Sequence, residues 1–199
     1  MRPIILIADD HIMLTNGLIS YLQGKLGYKQ MAAVSSCNGI LKELKRTAYT
    51  HLVLDIALAD GSAFEILETL NNLYPRLRIL IFSSKSADTY EKALRKFKVD
   101  GYLSKNANEG ETMEQLRKFF QNEPVLSKSG GEQNPFSKLT ARELEILHYL
   151  IQGKRLTEIA ALLNVGPSAI GMAKASIFEK TDVKNMAELV TLALAHNLA

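Results

Sequence analysis

The chain carries a single cysteine, Cys37, in 199 residues. An internal disulfide and a cysteine-based metal cluster are therefore excluded, and a reducing cytosol fits. Long apolar runs are also missing. The N-terminus offers only Ile4 to Ala8 before two aspartates, too short for a signal peptide or a membrane span. No later stretch reaches membrane length, so the expectation is a cytoplasmic protein without a membrane partner. Excess charge is small as well. The net charge is +3, divided as +3 over residues 1–121, −1 over 122–136 and +1 over 137–199. No segment points to nucleic acid by charge alone. The length suits one or two domains.

What the chain does have is an unusual kind of strand ending. His51-Leu52-Val53-Leu54 runs straight into Asp55, and a loop, Ala59-Asp60-Gly61-Ser62, follows at once. A continuous apolar run closed by turn residues reads as a buried parallel strand. Ile4-Ile5-Leu6-Ile7-Ala8, ending in Asp9-Asp10, repeats the design. Open parallel sheets bind ligands beyond the carboxyl ends of their strands. An aspartate there also suits a turn or helix cap, and one strand alone does not separate the two.

The rest of residues 1–121 continues the alternation. Helical spacing marks Met13 to Leu22, closed by Gly24 and Gly27. Met31 to Val34 reads as a strand, and Ile40, Leu41 and Leu44 mark a helix starting after Asn38. Phe64 to Leu70 marks a third helix, closed before Pro75. Ile79 to Phe82 is a strand ending in Ser83-Ser84. Tyr90, Ala93, Leu94 and Phe97 give a fourth helix. Gly101-Tyr102-Leu103 is a strand followed by Ser104-Lys105, and Met113 to Phe120 gives a fifth helix. Five strands alternating with five helices predict an α/β fold with a five-stranded doubly wound parallel sheet.

Periodicity stops over 122–136, where Pro124, Ser127, Ser129, Gly130, Gly131 and Pro135 read as a linker. Residues 137–199 are then all helix. Thr140 and Glu143 form a capping box for a helix running to Gln152, with Gly153 as its stop. A short helix covers Leu156 to Leu163, Gly166-Pro167 opens a third, and Asn185 with Glu188 opens a fourth. Two short helices joined by a tight turn suit a helix-turn-helix, but spacing alone also suits any small four-helix bundle.

Strand ends deliver Asp9, Asp10, Asp55, Ser83 and Lys105 to one region if the sheet is doubly wound. Three carboxylates repel one another and call for a cation. Oxygen-only ligands with no histidine or cysteine among them suit Mg²⁺. A carboxylate beside such a metal can attack a phosphoryl group, with Lys105 neutralising its charge and Ser83 donating a hydrogen bond.

On these residues the first half resembles the receiver domain of two-component response regulators, through Asp9-Asp10-His11, Leu52-Val53-Leu54-Asp55, Phe82-Ser83-Ser84 and Gly101-Tyr102-Leu103-Ser104-Lys105. The second half resembles the helix-turn-helix domain of the NarL/LuxR class, through Leu139-Thr140-Ala141-Arg142-Glu143, Glu158-Ile159-Ala160 and Asn185-Met186-Ala187-Glu188-Leu189. The resemblance implies a receiver at 1–121, a linker at 122–136 and a DNA-binding domain at 137–199. It implies that Asp55 accepts a phosphoryl group from a histidine kinase. Asp10, Asp55 and the backbone carbonyl of Ala57 would ligate Mg²⁺, and Asp9 would hold a metal-bound water. Ser83, Tyr102 and Lys105 would respond to the phosphoryl group, and activation would bring a homodimer onto DNA. The family usually has proline at the position of Ala59 and glycine at that of Ala63; neither is a catalytic group, so the expectation is altered loop flexibility without loss of phosphorylation.

The helix from Pro167 to Lys180 is the expected recognition helix, with Ser168, Met172, Lys174 and Lys180 as its DNA-contacting candidates. Affinity for DNA comes largely from Lys and Arg on phosphates, and this face has few. Gly171, Ala173 and Ala175 stand where the family often carries basic or polar residues. The alternative is a receiver whose helical domain binds protein or only dimerises. A Mg²⁺ phosphohydrolase is a third reading, but no second acid/base aspartate accompanies Asp55 and no cap domain is evident, so an enzyme is not expected.

Overall fold

The apolar runs form strands for the reason the sequence suggests: the central ones, Ile5–Ala8 and His51–Leu54, bury both faces at once, while Met31–Val34 at the sheet edge is half-buried. In the structure, a computed structural model describing residues 2–125 and 134–198 except Ser86, Arg95 and Asn197, these runs are β1 (Ile5–Ala8), β2 (Met31–Val34) and β3 (His51–Leu54). A hairpin of two-residue strands follows, β4 (Ala57–Leu58) and β5 (Gly61–Ser62), then β6 (Arg78–Ser83) and β7 (Gly101–Ser104). Most of the expected linker, including Ser127, Ser129, Gly130 and Gly131, lies outside the described residues.

The five long strands make one parallel sheet in the order β2-β1-β3-β6-β7. The chain starts at β1, steps to β2 on one side and crosses to β3 on the other. The order therefore reverses between β1 and β3, where a doubly wound sheet opens its crevice. The register fixes what meets there. Ala8 lies opposite Leu54, so Asp9 and Asp55 emerge side by side. Ser83 lies opposite Ser104, which brings Lys105 next to the end of β6.

Helices α1 (Ile12–Gly24), α2 (Cys37–Arg46) and α3 (Phe64–Leu73) alternate with the strands, followed by α4 (Ala87–Leu94) and α5 (Glu109–Phe120). Leu18 and Leu22 of α1 share a core with Ile5, Val53, Leu80 and Phe119. The alternate strand residues Leu6, Leu52 and Leu54 are equally buried, so the sheet is covered on both faces. Three local readings change. Helix α2 begins at Cys37, before Asn38, because partners from outside the helix satisfy its first N–H groups. Helix α4 ends at Leu94, and Phe97 instead sets its ring 6.0 Å from that of Phe64. The loop after Asp55 is a paired hairpin, too short to show a period in the sequence.

The chain divides into two compact units, Met1–Ser84 with Phe97–Lys128 and Lys85–Lys96 with Ser129–Ala199. The second unit holds α4, a 3-10 turn (Pro135–Lys138), α6 (Ala141–Ile151), α7 (Leu156–Leu162), α8 (Pro167–Thr181) and α9 (Met186–Ala195). The Thr140–Glu143 capping box forms with both of its bonds. Helices α7 and α8 meet at 111°, within the range of a helix-turn-helix. Among the described residues no single helix is long and apolar enough to cross a membrane.

Candidate functional site

Backbone pairing places the acidic residues before their side chains do anything. The Asp9 N–H donates to the Val34 carbonyl at 3.0 Å, and the Asp55 N–H donates to the Ala8 carbonyl at 2.9 Å. Both residues thus extend the sheet by one step, with their carboxylates at its carboxyl edge. Asp9 and Asp55 are buried, and Asp10 and His11 are exposed.

Lys105 closes the site from the other side. Its ammonium lies 2.5 Å from Asp55 Oδ2 and 2.7 Å from Asp9 Oδ2, and its side chain is only 6% exposed. The second Asp55 oxygen accepts the Ile56 N–H at 2.6 Å. Asp9 Oδ1 accepts the His11 N–H at 2.9 Å, and His11 Nδ1 stands 2.9 Å from Asp10 Oδ1. One ligand atom from each of Asp9, Asp10, His11 and Asp55 lies within 4.8 Å of every other. Three carboxylates faced by one ammonium leave a surplus of negative charge. A hard divalent cation with oxygen ligands is the group that such a donor set fits.

Ser83 and Tyr102 are both buried, at 0% and 4% exposure. Lys105 is tied to the end of β6 through its own N–H, which donates to the Ser83 carbonyl at 2.8 Å. The hairpin carrying Ala57 is hydrogen-bonded throughout: Ala57 pairs with Ser62, and the Ala63 N–H donates to the Ile56 carbonyl at 2.8 Å. Ala63 adopts an ordinary right-handed conformation, φ −52°, that needs no glycine.

The helical unit is less open than its sequence suggests. Ser168 and Met172 are exposed on α8, Met172 at 69%. Lys174 is half-buried, its ammonium 5.3 Å from the centre of the Phe178 ring. Lys180 lies 2.7 Å from each carboxylate oxygen of Glu143, which also accepts a hydrogen bond from the Ser176 hydroxyl at 2.7 Å. Burial pushes the Glu143 carboxyl upward in pKa. The bonds from Lys180, the Thr140 backbone and Ser176 outweigh it and pull the value down to about 2. The capping-box spacing announced Glu143 as a helix cap. Nothing in the spacing announced its bond to a residue 37 positions away. The partners of His11 and Asp60 are likewise not signalled by residue type or position.

Comparison with known proteins agrees with both halves. Residues 5–117, more than half of the chain, match the family described as response regulator receiver domain. Residues 137–193 match bacterial regulatory proteins of the luxR family. The response regulator UvrY of Escherichia coli K12 is 21% identical over 98% of this chain and 94% of its own length. The nitrate/nitrite response regulator NarP of the same organism is 26% identical, over 91% and 89% respectively. In fold, the chain is similar to RcsB of Salmonella enterica serovar Typhimurium, solved bound to the rprA promoter with a phosphomimetic. The TM-score is 0.83 at 20% identity, covering 96% of this chain and 98% of that one. Both matched families are of regulators rather than enzymes, and the chain belongs to the response regulators that join a receiver domain to a LuxR-type helix-turn-helix domain.

Proposed function

We propose that this protein is phosphorylated on Asp55 by a histidine kinase, in the presence of Mg²⁺, and that phosphorylation controls DNA binding and transcription by its helical domain. In this reading residues 1–121 are the receiver, 122–136 a linker and 137–199 the DNA-binding domain, working in the cytoplasm. The observation that carries it is the buried Lys105 ammonium spanning Asp9 and Asp55 at the strand-order reversal.

Asp10, Asp55 and the Ala57 carbonyl would hold Mg²⁺, with Asp9 reaching it through water. The cation supplies charge neutralisation for an incoming phosphoryl group. An Asp55 carboxylate oxygen attacks phosphorus. The O–P bond forms, the P–N bond to the kinase imidazole breaks, and the departing nitrogen takes a proton. Lys105 stays within reach of the new phosphoryl oxygens, and the Ser83 hydroxyl donates to one of them. Tyr102 turns with Ser83. Carrying a two-state switch from 1:99 to 99:1 takes about 5.5 kcal/mol of differential contact. In this reading Ser83 and Lys105 supply it. The output is a homodimer whose α8 helices meet DNA through Ser168, Met172, Lys174 and Lys180.

Incubation of the full chain with an acyl phosphate and Mg²⁺ tests the phosphoacceptor. The intact mass should gain one phosphoryl group, and Asp55→Asn or removal of Mg²⁺ should abolish the gain. A gain that survives Asp55→Asn would refute the assignment.

One observation favours a second reading. Lys180 is occupied by Glu143 and Lys174 lies over Phe178, while Met172 is exposed. A helical domain that binds protein, or only dimerises, would suit such a face. Salt separates the two, since phosphate-contacting proteins lose affinity steeply as salt rises.

A further inference from the structure

We propose that Asp60 is a positioning residue for the phosphoacceptor site, tying the hairpin that carries Ala57 to the first turn of α2 and so presetting the Ala57 carbonyl and Asp55 for a divalent cation. The proposal rests on the reading of Asp10, Asp55 and Ala57 as cation ligands.

The tether has three strands, all main-chain at one end. Asp60 Oδ1 accepts the Cys37 N–H at 2.6 Å, and Oδ2 accepts the Asn38 N–H at 3.0 Å. The Ala59 N–H donates to the Ser35 carbonyl at 3.0 Å. A helix leaves its first N–H groups without internal partners. The Ser36 hydroxyl satisfies one of them, at Gly39, with a 3.0 Å bond. Asp60 satisfies two more from a separate part of the chain. A carboxylate at this end also meets the positive end of the helix dipole. Burial opposes its charge, but the Asn38 and Cys37 N–H groups prevail and hold the carboxyl below the usual carboxylate range.

Position 59 explains why the tether is possible. Proline has no N–H, so the Ala59–Ser35 bond exists only because proline is absent. The other side of the hairpin is fixed separately, by the Ser62 N–H donating to Glu65 Oε1 at 3.0 Å. With Ala57 paired to Ser62 and Leu58 to Gly61, the hairpin tip is the tethered point. Ala57 lies three residues from Asp60, in the same paired hairpin, so holding the tip restrains it. Groups that orient the ligands of a metal typically affect its affinity by about 10–100-fold.

The test uses the full chain and the variants Asp60→Ala, Asp60→Asn and Ala59→Pro. Mg²⁺ affinity is read by calorimetry. Mg²⁺ half-saturation and the saturated rate are read from phosphorylation by an acyl phosphate. Asp60→Ala should weaken Mg²⁺ binding about tenfold, while the rate at saturating Mg²⁺ stays within about twofold. Asp60→Asn, which keeps one acceptor oxygen, should fall between. Ala59→Pro should weaken Mg²⁺ binding even though it installs the commoner residue. If Asp60→Ala does not fold, the other two variants decide. A lowered melting midpoint with unchanged Mg²⁺ affinity would overturn the proposal and leave Asp60 a helix cap alone. Failure of the unmodified chain to bind Mg²⁺ would overturn the cation reading itself, and is seen without any variant.

Discussion

Replacing Lys105 by methionine should make the stability of the fold more dependent on a divalent cation. In the unmodified chain the ammonium sits 2.5 Å from Asp55 and 2.7 Å from Asp9, with all three side chains at least nine-tenths buried. Two unit charges 4 Å apart interact by about 4 kcal/mol at the effective dielectric of a protein. Desolvation offsets much of that attraction. Truncating one partner of a buried pair nevertheless costs about 3–5 kcal/mol, because the other charge stays behind uncompensated. Lys105→Met leaves Asp9, Asp10 and Asp55 facing one another without a cation. The loss should therefore be about 3 kcal/mol in chelator at pH 8, a large share of a typical domain stability. Mg²⁺ should narrow the gap between the two chains by about 1.4 kcal/mol, because its affinity should rise about tenfold once the ammonium no longer competes for the carboxylates. Urea unfolding of both chains, with chelator and with millimolar Mg²⁺, measures each effect. Equal stability of the two chains in chelator, or an equal gain from Mg²⁺ in both, would refute this reasoning.

Three further predictions follow from the packing. Burial, with help from Arg78, lowers the His51 pKa to about 4, so the unfolded chain binds more protons below its ordinary value. Its contribution is complete above about pH 6.5 and fades as pH falls toward 4, by up to about 3 kcal/mol. His51→Phe should flatten that part of a urea-midpoint profile between pH 7 and pH 4.5, and an unchanged slope would contradict it. Glu143→Gln keeps the capping box but loses the charge facing Lys180, and should cost about 2 kcal/mol in thermal unfolding; a neutral result would mean the Lys180 bond is merely superficial. A Cβ at Gly171 would meet nothing within 4 Å. Gly171→Ala should accordingly stabilise the helical unit by about 0.4–1 kcal/mol, and Gly171→Lys should steepen the salt dependence of DNA binding by about one unit of slope.

The parts of the site that the sequence displayed are those set by strand register. An apolar run followed by a carboxylate marks a strand end, and two such runs on adjacent parallel strands must bring Asp9 and Asp55 together. Lys105 followed by the same logic from β7. What stayed hidden depends on contacts across long separations. Asp60 reaches α2 over 23 positions, and Lys180 reaches Glu143 over 37. Neither distance leaves a period or a spacing to read. The hairpin of Ala57–Leu58 and Gly61–Ser62 escaped because two residues cannot show alternation. Alanine in place of the usual proline at 59 points to altered loop flexibility, since proline's rigidity is local and visible. The bond that Ala59 makes to Ser35 is tertiary and is not.

The most direct test of phosphorylation-controlled DNA binding is selection of fragments from a random DNA pool by the full chain. It is run with Mg²⁺ alone and with Mg²⁺ plus beryllofluoride as a phosphoryl mimic at Asp55, and bound fragments are then titrated at two salt concentrations. The expected result is enrichment of a two-fold repeat, tighter with the mimic, whose affinity falls as salt rises. No enrichment in either state by folded protein, or equal affinity with and without the mimic, would contradict it.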